Sequence, residues 1–243
     1  MKSIYIINPL ITKEFEEMTL KEAEAAASPE TQLHVVSIDK GPVSIESIYD
    51  EVMAEPYVVK KVMEVADKAD AIIINCFGDP AVDAAREVTD VPIIGPGSSS
   101  MALAQLLGHN FSVVTVLSRL TPLIEEIAKK LGTSKLVSAR AVDIPVLELE
   151  DRAKTVEKLA KESVKAIEGD GAHVIVLGCT GMAGLADQVK HKLASHGYNI
   201  PVVDPAVVSL KLAEILVDMK TSQSRLTYPQ PPQKLRTGVI ESK

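Results

Sequence analysis

The sequence predicts an α/β fold of two parallel-sheet lobes, and three observations carry that expectation. β-Branched apolar runs of strand length alternate with longer segments of helical spacing along the chain, which implies parallel strands joined by right-handed crossovers. The order of elements in the first half returns in the second, from Phe111 onward, as an internal repeat does. The only two cysteines, Cys76 and Cys179, fall at the same place in the two halves, just past a buried-type strand and before a Gly-containing turn.

Taken in order, Ser3–Ile7 is a strand that ends at Asn8-Pro9, and Lys13–Ala27 has helical spacing up to the stop at Pro29. Gln32–Ile38 is a second strand, closed by Asp39-Lys40-Gly41-Pro42. Residues 43–56 are mixed, and Tyr57–Lys68 is a helix with Val58, Val59, Val62 and Val65 on one face. The strand before Cys76 leads into a helix from Pro80 to Val88, then a short strand, Val91–Ile94. Gly95-Pro96-Gly97 is a break before the helix Ser98–Leu107. The second half runs through a strand at Ser112–Val116 and a helix capped by Thr121 with Pro122 in its first turn, closed by Gly132. A strand at Lys135–Val142 and a helix from Glu150 to Glu168, stopped by Gly169, come next. The Cys179 strand, a helix from Met182 to Ser195, a strand at Pro201–Val203 and a helix at Ala206–Met219 complete the repeat. The tail from Thr221, with Pro229, Pro231 and Pro232, is irregular. The expected architecture is two flavodoxin-like lobes related by an approximate two-fold axis, residues 1–97 plus 206–243 carrying Cys76 and residues 98–205 carrying Cys179. Such an axis would set the two cysteines on opposite sides of one cleft, where an open α/β sheet places its chemistry.

Composition narrows the function classes. With 243 residues, 46% hydrophobic and 24% charged, this is an ordinary globular balance, and a net charge of −7 argues against nucleic acid and anionic membranes as partners. No apolar run reaches the roughly 20 residues of a membrane span, and MKSIYIINPL has no signal-peptide pattern, so a cytoplasmic protein with reduced thiols is expected. His34, His109, His173, His191 and His196 have no metal-ligand spacing, no lysine marks a pyridoxal site, and Gly95-Pro96-Gly97-Ser98-Ser99-Ser100 lacks the Lys of a phosphate loop, so no metal or cofactor is expected. The Gly-x-x-Gly of Gly181–Gly184 is weak as a nucleotide signal.

A thiol acts as base only as thiolate, and a helix start after each cysteine would favour the anion. Backbone N–H groups of Phe77, Gly78, Thr180 and Gly181 could hold a substrate carbonyl oxygen as it becomes enolate-like. Two weak bases on opposite faces of one carbon suit racemisation: one removes a proton α to a carbonyl and the other returns one. Two blander readings stand beside this one, cysteines that merely pack and a redox pair, although no Cys-x-x-Cys is present.

The motifs Ile7-Asn8-Pro9, Asn75-Cys76-Phe77-Gly78-Asp79-Pro80, Phe111-Ser112-Val113-Val114-Thr115, Val142-Asp143-Ile144-Pro145 and Gly178-Cys179-Thr180-Gly181-Met182-Ala183-Gly184-Leu185 resemble the hydantoin/allantoin racemases of the aspartate/glutamate/hydantoin racemase superfamily. The resemblance implies cofactor-independent two-base racemisation by Cys76 and Cys179, a small-molecule substrate and a homo-oligomer. It implies substrate-binding positions at Asn8, Thr115, Thr180 and the backbone beside each cysteine (Phe77, Gly78 and Gly181), and by looser analogy at Val43 and Ser118. The branch acting on acidic amino acids carries Cys-Asn-Thr and Gly-Cys-Thr-Glu. This chain has Cys76-Phe77-Gly78 and Cys179-Thr180-Gly181, so a hydantoin-type ring is the expected substrate, with a free amino acid, or a non-catalytic ligand-binding or thiol-redox role, as alternatives.

Overall fold

Buried β-branched runs build two parallel sheets in the computed structural model of this chain, which describes residues 1–240. The first sheet contains β1 (Lys2–Asn8), β2 (Thr31–Ser37), β3 (Ala71–Ile74) and β4 (Ile93–Ile94), in the order β2-β1-β3-β4. The second contains β5 (Phe111–Thr115), β6 (Leu136–Ala141), β7 (Val174–Leu177) and β8 (Val202–Val203), in the order β6-β5-β7-β8. All pairings are parallel. The helices are α1 (Glu14–Ala26), α2 (Ile48–Val65), α3 (Val82–Val88), α4 (Pro96–Leu107), α5 (Thr121–Lys130), α6 (Arg152–Asp170), α7 (Ala186–Ser195) and α8 (Pro205–Asp218). No helix among the described residues is long and apolar enough to cross a membrane.

Contacts divide the chain into two units, one of residues 1–45, 49–95 and Ser209 onward, the other of residues 46–48 and 96–208. The breaks fall at 95/96 and 208/209, and the excursion at 46–48 had no sequence signal. In the first unit the period-2 alternation of strand side chains sorts the core into two faces. Ile7, Ile72 and Ile74 meet Ala54, Val58 and Val62 of α2 and Val82 and Ala85 of α3. Ile4, Ile6 and Ile73 meet Leu210 and Ala213 of α8 and Ala23 and Ala26 of α1. In the second unit Val114, Ile175 and Leu177 pack with Val156 and Leu159 of α6 and Val189 and Leu193 of α7. Each fully buried Val, Leu or Ile among these contributes about 1.5–3 kcal/mol.

Several local expectations are corrected. The helix expected at Tyr57 begins at Ile48, so that Pro56 lies inside it. Pro56 removes one N–H from the ladder, but both it and Val52, whose carbonyl is left over, are exposed, so the break falls on the outer face of the helix and leaves the core packing undisturbed. Pro96 and Gly97 are not a break but the first turn of α4, where a missing N–H costs nothing. Gly169 lies within α6, which starts at Arg152 after an Asp151 cap and ends at Gly171 with φ +76°. Thr121 does not cap α5: its hydroxyl donates to the Ser118 carbonyl, and the cap position is Leu120. The tail has no regular element among its described residues, yet it is tied down. The Gln223 amide donates to the carbonyls of Thr89 and Val91 and accepts from Ile93 N–H.

Glu214 of α8 closes the first unit. Its carboxylate accepts from Ser28 N–H (2.7 Å), Ser28 Oγ (2.8 Å), Thr31 Oγ1 (2.7 Å) and Lys211 Nζ (2.9 Å), so it pins α8 to the entry of β2. Burial by itself would raise its pKa, but the hydrogen bonds from Thr31, Lys211 and Ser28 outweigh burial and hold it at about 2 instead of 4.5. A depressed carboxylate stabilises the fold above its unfolded pKa and loses that contribution as pH falls. Stability from this latch should therefore be complete above about pH 5 and fade between 4.5 and 2, and Glu214→Gln should remove on the order of 1–3 kcal/mol at pH 7, as denaturant midpoints would measure. Pro56→Ala, which restores an N–H at an exposed helical position, should stabilise by about 1–3 kcal/mol in the same assay.

Candidate active site

Each sheet has a topological switch point. From β1 the chain crosses first to β2 on one side and then to β3 on the other, and from β5 it does the same with β6 and β7. At such a point the carboxyl ends of the two central strands diverge and leave a crevice. Asn8 ends β1 and Cys76 follows β3; Thr115 ends β5 and Cys179 follows β7. The sequence-predicted residues thus occupy equivalent places in the two units.

In the first unit Asn8 is 2% exposed and its Oδ1 accepts from Asn75 Nδ2 at 2.9 Å, which ties the end of β1 to the residue before Cys76. Cys76 is half-buried and in no disulfide, and it packs against the α2–α3 core. The turn after it is strained: Asp79 and Ala81 have φ of +56° and +60°. Left-handed backbone in residues with a Cβ costs roughly 1–2 kcal/mol each. The Asp79 carboxyl lies across the Gly95 backbone so closely that a Cβ at Gly95 would sit 2.4 Å from it and would have to displace it. The Phe77 side chain is buried, and Gly78 is half-buried. Val43 is exposed in the loop after β2. That loop is joined to the one after β1 by Ile11 N–H to the Pro42 carbonyl and Thr12 Oγ1 to the Val43 carbonyl.

In the second unit Thr115 Oγ1 donates to the Gly178 carbonyl at 2.9 Å, the counterpart of the Asn8–Asn75 link. A Cβ on Gly178 would lie 2.8 Å from Thr115 Cα, so only glycine lets β5 and β7 approach here. Cys179 is half-buried and free, in extended backbone, and its Sγ accepts from Gly181 N–H at 3.4 Å. Thr180 and Gly181 form a short 3-10 turn with Met182. Ser118 stands farther out, exposed, its N–H donating to Asp143 Oδ1 at 3.1 Å.

Two expectations about the thiols change. α3 begins at Val82 rather than Pro80, and α7 at Ala186 rather than Met182, so neither cysteine sits directly at an α-helix start. Burial pushes the Cys179 thiol up to about 11, and the Glu46 carboxylate adds to this; the N–H groups of Gly181 and Met182 pull the other way but do not win. Gly181 N–H is also engaged by the sulfur rather than aimed at a substrate oxygen.

Sequence reasoning missed four residues here. Glu46 belongs to the second unit and accepts from Val146 N–H at 2.8 Å, where its charge acts on Cys179. Arg152 Nη1 donates to the Gly181 carbonyl at 3.3 Å. Asp204 accepts from Gly184 and Ala206 N–H, fixing the loop after Cys179 to the first turn of α8. Its Asp-Pro position before an apolar helix was a readable cap signal. The fourth, Glu51, is buried on α2 within a stretch the sequence left unassigned. Among the described residues no group of three or more His, Cys, Asp or Glu side chains is arranged to hold a metal.

Comparison with known proteins identifies the family. The family model for Asp/Glu/hydantoin racemases matches residues 4–213. A hydantoin racemase of Pseudomonas sp. (strain NS671) is 39% identical over 98% of this chain and 96% of its own length. An allantoin racemase structure from Pseudomonas fluorescens superposes with a TM-score of 0.91 at 33% identity, over 97% of this chain and 100% of its own. One from Klebsiella pneumoniae gives 0.90 at 32% identity, over 98% and 97%. On its strand order, its two switch-point cysteines and these matches, this chain belongs to the Asp/Glu/hydantoin racemase family.

Proposed function

We propose that this protein racemises hydantoin-type substrates, 5-substituted hydantoins or allantoin, with Cys76 and Cys179 as the two acid–base groups. The observation that carries the reading is the equivalent placement of the two cysteine side chains, neither in a disulfide and each the second residue past the central strand at a switch point, in a chain similar along nearly its whole length to hydantoin and allantoin racemases. One thiolate takes the proton from the carbon α to the ring carbonyl while the opposite thiol delivers one to the other face. Asn8, Thr115 and Thr180 supply polar contacts to the ring, with Val43, Phe77, Gly78, Ser118 and Gly181 forming the rest of the binding surface.

The raised pKa of Cys179 has a mechanistic meaning. A thiol with a pKa near 11 is about one part in ten thousand ionised at pH 7, so it rests as the proton donor and becomes a base only when substrate supplies a more favourable environment. Once ionised, such a thiol is a stronger base than an ordinary cysteine, which narrows the gap to a weakly acidic carbon.

Incubating one enantiomer of a substrate panel should give loss of optical rotation with hydantoins or allantoin, and none with free aspartate or glutamate. Activity on the amino acids alone would transfer the assignment to a different branch. Cys76→Ala and Cys179→Ala should each abolish inversion by at least a thousandfold, while in heavy water each mutant exchanges deuterium into one enantiomer only, the two mutants choosing opposite ones. In Cys76→Ala, where Cys179 is the only thiol, exchange corrected for the uncatalysed rate should rise about tenfold per pH unit between pH 7 and 10, because the thiolate fraction climbs until the pKa is reached.

A further inference from the structure

The buried face of α2 is Glu51, Ala54, Val58, Val62 and Val65. Four of these are core residues at helical spacing, and the fifth is a carboxylic acid. A crossover helix runs antiparallel to the strands it joins, so the first turns of α2 lie at the carboxyl edge of the sheet. Glu51 therefore occupies the outermost position of the apolar stripe, one turn beyond Ala54, on the edge where β3 delivers Cys76. Cys76 and Ala81, the two ends of the strained turn, pack on the same cluster as Ala54 and Val58.

Glu51 is 6% exposed, and its Oε1 has neither solvent nor a hydrogen-bond partner. Three charged groups act on it: Glu55 and Asp50 of its own helix, and Asp79 of the turn after Cys76. All three are acids. Asp79 in turn is fixed to the cysteine backbone, its N–H donating to the Cys76 carbonyl at 3.1 Å, with its carboxyl against Gly95. A buried carboxylate among acids is unfavourable unless it carries a proton.

We infer that Glu51 is a positioning residue for Cys76: as a neutral acid it supports the Cys76–Ala81 turn from the core side, and when it ionises its charge works through Asp79 and the turn against thiolate formation at Cys76. Nothing in the two-base chemistry uses this group. Burial first, then the charges of Glu55, Asp79 and Asp50, raise its pKa to about 7, so it is neutral below neutrality and anionic above it. The inference gains its catalytic meaning from the proposed role of Cys76, but its test reads the thiol itself and not racemisation.

Full-length protein is treated with iodoacetamide from pH 5.5 to 9.5, and alkylation of the Cys76 peptide is followed by mass spectrometry in wild type and Glu51→Gln. Gln mimics the neutral acid at every pH. The rate ratio of variant to wild type should stay within twofold at pH 6 and climb to about five- to tenfold at pH 8.5, with its midpoint near pH 7. A ratio that stays flat across the range overturns the inference. If Glu51→Gln does not fold, Glu55→Gln keeps the acid and removes its strongest charged neighbour. The inflection in the Cys76 alkylation profile should then move to lower pH than in wild type, and an unmoved inflection overturns the inference equally. A panel without racemisation beside a pH-dependent ratio would refute the proposed function and leave the Glu51–Cys76 coupling standing.

Discussion

At a switch point the last residues of two neighbouring parallel strands run out of ladder partners, and in this chain side-chain links take over where the ladder stops. Asn75 N–H still reaches the Ile7 carbonyl and Gly178 N–H the Val114 carbonyl. One residue further the ladder ends, and the links are the Asn8–Asn75 amide pair in one unit and Thr115 hydroxyl to Gly178 carbonyl in the other. Leaving such groups buried and unpaired would cost about 1–3 kcal/mol each. The two cysteines are fixed by this requirement, because each is the residue immediately after the link.

The same edge explains why the loops look as they do. The Cys76 turn stores strain at Asp79 and Ala81, which the buried contacts of Val82 and Ala85 behind it offset. Gly178 is a place where the neighbouring strand comes too close for a Cβ, and at Gly95 a Cβ would have to displace the Asp79 carboxyl. The Cys179 turn is instead a 3-10 turn wrapped around the sulfur, with Asp204 and Arg152 fastening it from outside. The two units thus reach equivalent thiol positions by different local means.

Burial dominates the electrostatics. For Cys179 two backbone donors do not compensate for desolvation, and the Glu51 Oε1 has no donor. For Glu214 the balance is reversed, because four hydrogen bonds from three residues converge on one carboxylate. Desolvation favours the neutral form in every acid, and the number of donors aimed at the charged form decides which acids escape it.

Much of this was legible in the residues because it depends on local period. Ile72–Ile74 and Val174–Leu177 read as buried strands, and Asn8, Cys76, Thr115 and Cys179 read as strand ends, since alternation and length are written in the chain itself. Pro56 misled because a proline breaks a helix in sequence terms, whereas only its outward orientation makes it harmless, and orientation follows from which face of α2 is buried. Gly169 misled for the same reason: two glycines stood near the end of α6, and the left-handed one was chosen by the path into β7.

By itself the sequence determined the α/β class, the duplicated element order and the two thiols at matching strand ends, all of which follow from hydrophobic period and turn chemistry. Only the tertiary structure decided that Glu46 acts on Cys179, that Glu51 lies buried where the charge of Asp79 acts on it, and that burial raises the Cys179 thiol. The physical reason is that an ionisation equilibrium is set by desolvation and by charges brought near in space, and neither quantity has a period along the chain.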